Sequence, residues 1–478
     1  MRSIVRIRFA MLSMLVVLLG CAGDRVGRIA DEYGYGEPQA SLEPMVIVTG
    51  FLGSNLVDRE SGHDVWGLFL AGEQRVWRAD VQRRIALPMT GGETLAEMRD
   101  QVVADGVMQN GEIQIAGQRF TVNTYPGLLW GILRGLGEPG SAGDTPSKRE
   151  LRSATRAAES DSTPRIHGVA FDWRRDLSES AEALDVAVRA AHREKLELGL
   201  EGDAARVDII AHSMGTLVTR YYLRYGTQTL APDGSLPVLD WRGAQLVRRV
   251  VLVAPPNNGS LEALRDVTQG GSPEFPIPSH PPALLATFVS LYQMVPHEGS
   301  GAVVYADDGS PVDFFAVETW DRLGWGPLGN DQQEVLRNLL PHLPTDEARR
   351  AVARDYVALC LARAVQLNAA LDIPSRPPAG TTMHLFLGDT IDTPGRVEVD
   401  RHSGELVKYD YEPGDKTVTR HSALGRMRRE PHPRGRLESP VHWTSVHIVD
   451  GDHLSMVASP TLLNDALYLL LEAPARAE

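Results

Sequence analysis

Val207-Asp208-Ile209-Ile210-Ala211-His212-Ser213-Met214-Gly215, followed by Thr216-Leu217-Val218-Thr219-Arg220-Tyr221-Tyr222-Leu223, decides how this chain reads. The apolar run 207–210 predicts a short buried strand, and 216–223 has helical periodicity. A serine between small residues at a strand-to-helix turn is the sequence form of a nucleophile elbow. So tight a turn needs small residues two positions before and two after the serine. Here they are Ala211 and Gly215. The turn holds Ser213 out of the helix and aims the N–H of Met214 where an oxyanion would develop.

Outward from the elbow, apolar runs recur at intervals. Met45–Val48, Ile166–Phe171, Val247–Ala254, Met383–Leu387 and Ser445–Val449 read as further strands. Ser178–Leu198 carries Ala181, Leu184, Val188, Ala191 and Leu196 on one helical face, and Thr461–Leu471 reads as a closing helix. Strands alternating with helices predict a mainly parallel sheet covered on both faces. Such sheets place their sites at the carboxyl ends of the strands, where Ser213 lies. Residues 55–135, with Trp66, Trp77 and Trp130, are too irregular for a simple crossover. Residues 138–164 are poor in large apolar side chains and read as a mobile loop. The stretch 256–380 reads as an insertion that packs as a cap, opened by a Gly-, Pro- and Ser-rich lid from Gly270 to Pro282. Together these readings give a domain over 44–474 with inserted segments near 55–164 and 256–380.

The chain has 478 residues, 43% of them hydrophobic and 23% charged, which fits one large globular domain with insertions. A net charge of -14 argues against nucleic-acid binding through a broadly basic surface. Only four of the 48 basic residues are lysine, so single arginines carry little functional weight. The N-terminus reads as a targeting signal over 1–20: Arg2, Arg6 and Arg8 precede an apolar run, Phe9–Leu19, too short to span a bilayer. It ends in Leu18-Leu19-Gly20-Cys21, which resembles the bacterial lipobox. That likeness implies lipidation of Cys21, residues 21–43 as a tether, and an extracytoplasmic protein anchored to a membrane of the bacterial envelope, with an outer membrane facing the periplasm as one option. The plainer alternative is an ordinary signal peptide with an incidental cysteine. The other cysteine, Cys360, sits in a helical pattern and reads as a core residue, so no intramolecular disulfide is expected once Cys21 is lipidated.

Beside Ser213 the chemistry needs a base, an acid that orients it, and oxyanion donors. In this kind of fold the chain order is nucleophile, acid, histidine. His453, in Asp450-Gly451-Asp452-His453, follows the last strand and precedes the final helix, whereas His447 lies within the strand pattern and His442 before it. Two acids compete: Asp389, directly after the strand 383–387, and Asp415, in Pro413-Gly414-Asp415-Lys416-Thr417-Val418 beyond an inserted hairpin. Spacing does not choose between them. The second oxyanion donor should come from the turn after the first strand, Thr49-Gly50-Phe51-Leu52-Gly53, with the N–H of Phe51 ahead of that of Leu52. Asp172-Trp173-Arg174 reads either as an ion pair fastening a strand end or as a place where Trp173, with Leu52, touches substrate. No metal cluster or cofactor motif is present in these readings.

At this point the residues resemble the lecithin:cholesterol acyltransferase family. The matching pieces are Val48–Leu56, Phe171-Asp172-Trp173-Arg174, Ala211–Gly215, Pro256-Asn257-Asn258-Gly259, Gly414–Val418 and His453–Val457, in the family's order. The resemblance implies an α/β-hydrolase fold and selects Asp415, because the family's acid is the Asp of Gly-Asp-x-Thr-Val. It implies a serine acyl-ester enzyme that takes phospholipid as acyl donor and a lipid hydroxyl or water as acceptor at a membrane surface. Two departures stand out. Pro256-Asn257-Asn258-Gly259 replaces the more usual Pro-aromatic/polar-Gly-Gly, and the lid cysteine pair of animal members is absent. Two rival readings stay open: a carboxylesterase or lipase on soluble esters, and a non-catalytic lipid-binding envelope lipoprotein.

Overall fold

The computed structural model describes residues 43–66, 79–107, 111–115, 118–122, 166–271, 280–426 and 438–472. Cys21 and most of its tether, Trp77, Trp130, the loop 138–164 and most of the 270–282 lid lie outside the described residues. The chain divides into two compact units: residues 43–126 with 165–457, and a second whose described part is 458–472. That second part is the helix Pro460–Leu467 and the wider helical turn Tyr468–Glu472.

The first unit is built on six parallel strands: β1 (Met45–Val48), β2 (Ile166–Val169), β3 (Val207–His212), β4 (Val247–Val253), β5 (Thr382–Leu387) and β6 (Ser445–Ile448). Their order is β6-β5-β4-β3-β1-β2. Every residue of β1 and β3 is buried, which is why these strands read as unbroken apolar runs rather than as an alternation. The expected α/β-hydrolase class is what the structure has.

The order carries a functional consequence. From β1 the chain first goes to one side, to β2, and then returns to the other side with β3. The connections leave in opposite directions at β1 and β3, so a crevice opens at the carboxyl ends of this pair. The turn Gly50–Gly53 leaves β1 there, and Ser213 leaves β3 there.

Helix α1 (Ala181–Glu197) joins β2 to β3 and lies on β1, β2 and helix α2 (Met214–Tyr225). It buries Ala181, Leu184, Val188 and Ala191, the face its spacing predicts; Leu196 of the same pattern stays half exposed. Residues 256–380 carry helix α3 (Leu261–Gln269), several short helices and the long helix α4 (Asp346–Leu371). Their Leu284, Phe288, Tyr292, Trp320 and Tyr356 belong to the same apolar core as the sheet and α2. The described part of this stretch is therefore packed into the main core. Cys360 is fully buried on α4, where desolvation pushes its thiol far above the ordinary range. Strands Ile391–Val399 and Leu406–Gly414 form the inserted hairpin, paired antiparallel. Strand Ser54–Asp58 pairs antiparallel with Asp64–Trp66 and Val102–Val107, the irregular part that no crossover pattern fitted.

Gly215 sits where α2 meets the end of β1. A Cβ there would lie 2.2 Å from the carbonyl oxygen of Thr49 and 2.8 Å from that of Val48. Both are backbone atoms, so no side chain can swing aside. Gly215→Ala should cost about 1–3 kcal/mol, the usual penalty for overpacking. Urea unfolding of the variant against wild type measures it; an unchanged midpoint would mean that the helix is free to slide.

Candidate active site

Ser213 stands alone between β3 and α2 with φ +52° and ψ -128°. A non-glycine residue in that region costs on the order of 1–3 kcal/mol and needs surroundings that enforce it. Its N–H donates to the carbonyl of Val253, 2.9 Å away. Its own carbonyl accepts from the amide of Thr216 at 2.9 Å and from the Thr216 hydroxyl at 2.5 Å. The first amides of a helix have no intrahelical acceptor, and the helix dipole makes that end electropositive. Met214 and Gly215 supply those amides immediately after the serine.

His453 Nε2 lies 2.8 Å from Ser213 Oγ, and His453 Nδ1 lies 2.9 Å from Asp415 Oδ2. An ionised carboxylate only accepts, so Nδ1 carries the proton and Nε2 faces the hydroxyl as acceptor. The other carboxylate oxygen of Asp415 accepts from the amides of Val418 (2.7 Å) and Thr417 (3.1 Å). The carbonyl of Asp415 also accepts the amide of His453 at 2.8 Å. Burial alone would lower the pKa of His453. The Asp415 charge and hydrogen bond, with smaller help from Glu262 and Asp452, outweigh it, and the net shift is upward.

The structure thus brings Ser213, His453 and Asp415 together and leaves the rival residues elsewhere. Asp389 pairs with Arg420 at 3.3 Å. His447 stacks on Phe386 with centroids 4.4 Å apart and bonds Ser445 at 2.8 Å.

After β1 the chain turns at Gly50-Phe51-Leu52-Gly53, closed by the Gly53 amide on the Gly50 carbonyl at 3.1 Å. Leu52 has φ +63°, the value a type II turn requires at its third residue. A positive φ on leucine is strained, and the indole N–H of Trp66 clamps it by donating to the Leu52 carbonyl at 3.1 Å. Phe51 packs edge-on against Trp173 with centroids 5.0 Å apart. Trp173 also meets Trp66 and Phe288, each at 5.5 Å, and its N–H donates to the Ser54 carbonyl at 3.1 Å. Its side chain is wholly buried. Of the two readings of Asp172-Trp173-Arg174, the geometry favours the fastening one, and the substrate contact expected of Trp173 has no exposed ring behind it. Arg174, equally buried, is held by Asp172 (2.7 Å) and Asp100 (2.9 Å). Leu52 remains partly exposed beside the site.

Several positions here had no sequence reading. His212 is buried, and its Nε2 lies 2.9 Å from the carbonyl of His453, bracing the base loop from beneath. Desolvation, then the neighbouring His453, lowers its pKa to about 3, so it is neutral and donates this bond. Asn257 joins buried Arg220 (2.7 Å) to the carbonyl of Ala423 (2.7 Å), so the unusual Pro-Asn-Asn-Gly ties α2 to the segment after the acid. A polar residue inside an apolar strand was the available signal for His212. Asn257 stood out only as a departure from the family's motif, with nothing local to give it this bridging role.

A cavity of about 610 Å³ lies between Asn258, His297, Arg396, Glu412 and Arg426; none of Ser213, Asp415 or His453 lines it. Among the described residues, no group of three or more His, Cys, Asp or Glu side chains could hold a metal ion.

The family model for lecithin:cholesterol acyltransferase matches residues 160–342, so the resemblance carried by the motifs is shown over that stretch. Acyl-ester chemistry on lipids is the class this match supports. One similar solved structure is a chain of the crystal structure of the Tle4-Tli4 complex. It shares 15% identity and a TM-score of 0.51, over 91% of this chain and 100% of that one, a likeness of fold. No curated protein matches the sequence.

Asp415→Asn should lower the proton affinity of His453, because burial then acts without the opposing charge. Asp389→Asn should leave it unchanged. Imidazole NMR titrations of both variants check this; a shift in the Asp389 variant instead would overturn the assignment of the acid.

Proposed function

We propose that the protein is a membrane-tethered serine acyl-ester enzyme of the lecithin:cholesterol acyltransferase type that acts on phospholipid. The observation that carries this reading is the hydrogen-bonded line Asp415–His453–Ser213 ending at a strained elbow. His453 Nε2 takes the Ser213 proton as Oγ attacks the ester carbonyl. The carbonyl oxygen becomes an oxyanion held by the N–H of Met214 and an N–H of the Phe51–Leu52 turn. Each such donor contributes roughly 3 kcal/mol to the barrier reduction. Asp415 keeps the imidazole in the right tautomer and stabilises the imidazolium. His453 then returns the proton to the departing alcohol, leaving acyl-Ser213. Water or a lipid hydroxyl, deprotonated by the same nitrogen, attacks the acyl carbon, and Ser213 recovers its proton.

For the ends of the chain the reading is a cleaved leader, residues 1–20, and a lipidated Cys21 with a tether to residue 43. No helix among the described residues is long and apolar enough to cross a membrane. A covalent lipid adds about 0.8 kcal/mol per buried methylene, so the chains would supply most of the affinity for the bilayer.

Ser213→Ala should leave the fold intact and reduce turnover on the order of 10⁶-fold. Lipid mass spectrometry after incubation with mixed phospholipids and a long-chain alcohol reads donor, acceptor and acyl position together. Near-wild-type products from the variant would move the nucleophile elsewhere; activity confined to short soluble esters would favour a carboxylesterase. Cys21→Ser should release the protein from membranes while short-ester activity persists. Fractionation with both assays on each fraction decides it, and equal membrane retention would assign the anchoring to other residues.

A further inference from the structure

We propose that Glu262 is a positioning residue for the base: it grips the acid loop through Thr417 and brings a further negative charge to bear on the His453 imidazole. The inference rests on the proposed role of His453 and deepens it.

The grip is two-handed. Thr417 is the second residue after Asp415 and gives its amide to the Asp415 carboxylate at 3.1 Å. The Thr417 hydroxyl donates to Glu262 Oε2 at 2.8 Å. The carbonyl of Thr417 accepts from the hydroxyl of Ser260 at 2.6 Å. Ser260 is the N-cap of α3, and its oxygen also accepts the Glu262 amide at 3.1 Å. The first turn of α3 therefore holds both polar groups that Thr417 has left after serving the acid. Glu262 is itself held, because Arg265 donates to its Oε1 at 3.0 Å.

Charge follows from the same placement. Among the described residues, titratable groups from four elements bear on the imidazole. Asp415 comes from the acid loop and Asp452 from the base's own loop, the latter near Lys416. His212, at the end of β3, is neutral. Glu262 comes from α3, and its field adds to that of Asp415 in holding the proton on His453. Glu262 stands in the first turn of α3, where the helix dipole favours a negative side chain. The chain Glu262–Thr417–Asp415–His453–Ser213 thus extends the catalytic line by two residues. It sets the pH below which the base is blocked by its own proton.

The test uses the rate at which a fluorophosphonate labels Ser213 in the full chain, measured against pH. This rate reads the base directly and needs no natural substrate. Glu262→Gln keeps an acceptor for Thr417 and removes the charge. Its acidic limb should move to lower pH while the alkaline plateau stays close to that of wild type. Glu262→Asn, shorter and neutral, should move the limb the same way with a lower plateau, because the hydroxyl bond is lost. Glu262→Asp keeps the charge and should leave the limb near the wild-type position. The inference is overturned if the limb is unmoved in both neutral variants, or if all three move it alike; either result would make Glu262 a purely structural prop. Should one neutral variant fail to fold, the other still reports the sign. Absence of Ser213 labelling in wild type would sink the proposed nucleophile itself, a different outcome from an unshifted limb.

Discussion

The site depends first on how closely α2 is pressed onto the end of β1. With no Cβ at Gly215, the helix backbone reaches the carbonyls of Val48 and Thr49. That contact brings the electropositive end of α2 beside the turn that leaves β1. It also compresses the link between β3 and α2 into one residue, so Ser213 takes a φ that only an enclosing structure can enforce. Three bonds supply the enforcement: its N–H is drawn to β4, and its carbonyl is covered by the amide and the hydroxyl of Thr216. Exposure of the hydroxyl is thus a product of packing behind it.

The second requirement is a carboxylate held in place inside the fold. Asp415 is buried, and three N–H groups share its two oxygens. A buried charge left with fewer partners would be strongly destabilising. Its loop has little regular structure of its own, and Lys416 even sits at φ +83°. The Lys416 amide is taken by Thr393 Oγ1 of the hairpin at 2.8 Å, and Ser422 Oγ bonds the Gly259 carbonyl at 2.7 Å. The hairpin and the segment after β4 therefore act as the frame of the acid. This explains how an acid far beyond β5 in sequence, separated from it by the Ile391–Gly414 hairpin, still arrives at the histidine.

The sheet was legible because fully buried parallel strands carry a signal in their own residues. Val207–Ile210 and Val250–Val253 need no partner to be recognised. The elbow was legible for a similar reason, since its steric demands fall on Ala211 and Gly215 themselves. The choice between Asp389 and Asp415 was not available from spacing. Both follow strands, and what separates them is tertiary: one ends beside Arg420, the other beneath His453. Trp173 misled in part because an aromatic residue near a site has two uses. Only the packing of Phe51, Trp66 and Phe288 around it shows which one this fold makes of it. The cap reading had the same limit, because apolar residues between strands do not announce whether they form a separate layer or join the main core.

Two histidines lie face to tilted face at this site, their centroids 5.0 Å apart, and their environments shift their proton affinities in opposite directions. Desolvation, then the neighbouring His453, pulls the proton affinity of His212 far down. His453 is also buried, but carboxylates surround it and its affinity rises. Were both imidazoles to hold a second proton, each would repel the other at short range. Keeping His212 neutral removes that conflict and leaves it as a fixed donor to the His453 carbonyl. The base then titrates beside a ring that stays neutral. The division of labour is set by where the negative side chains fall: Asp415, Asp452 and Glu262 all bear on His453, so only that ring is free to carry a proton in and out.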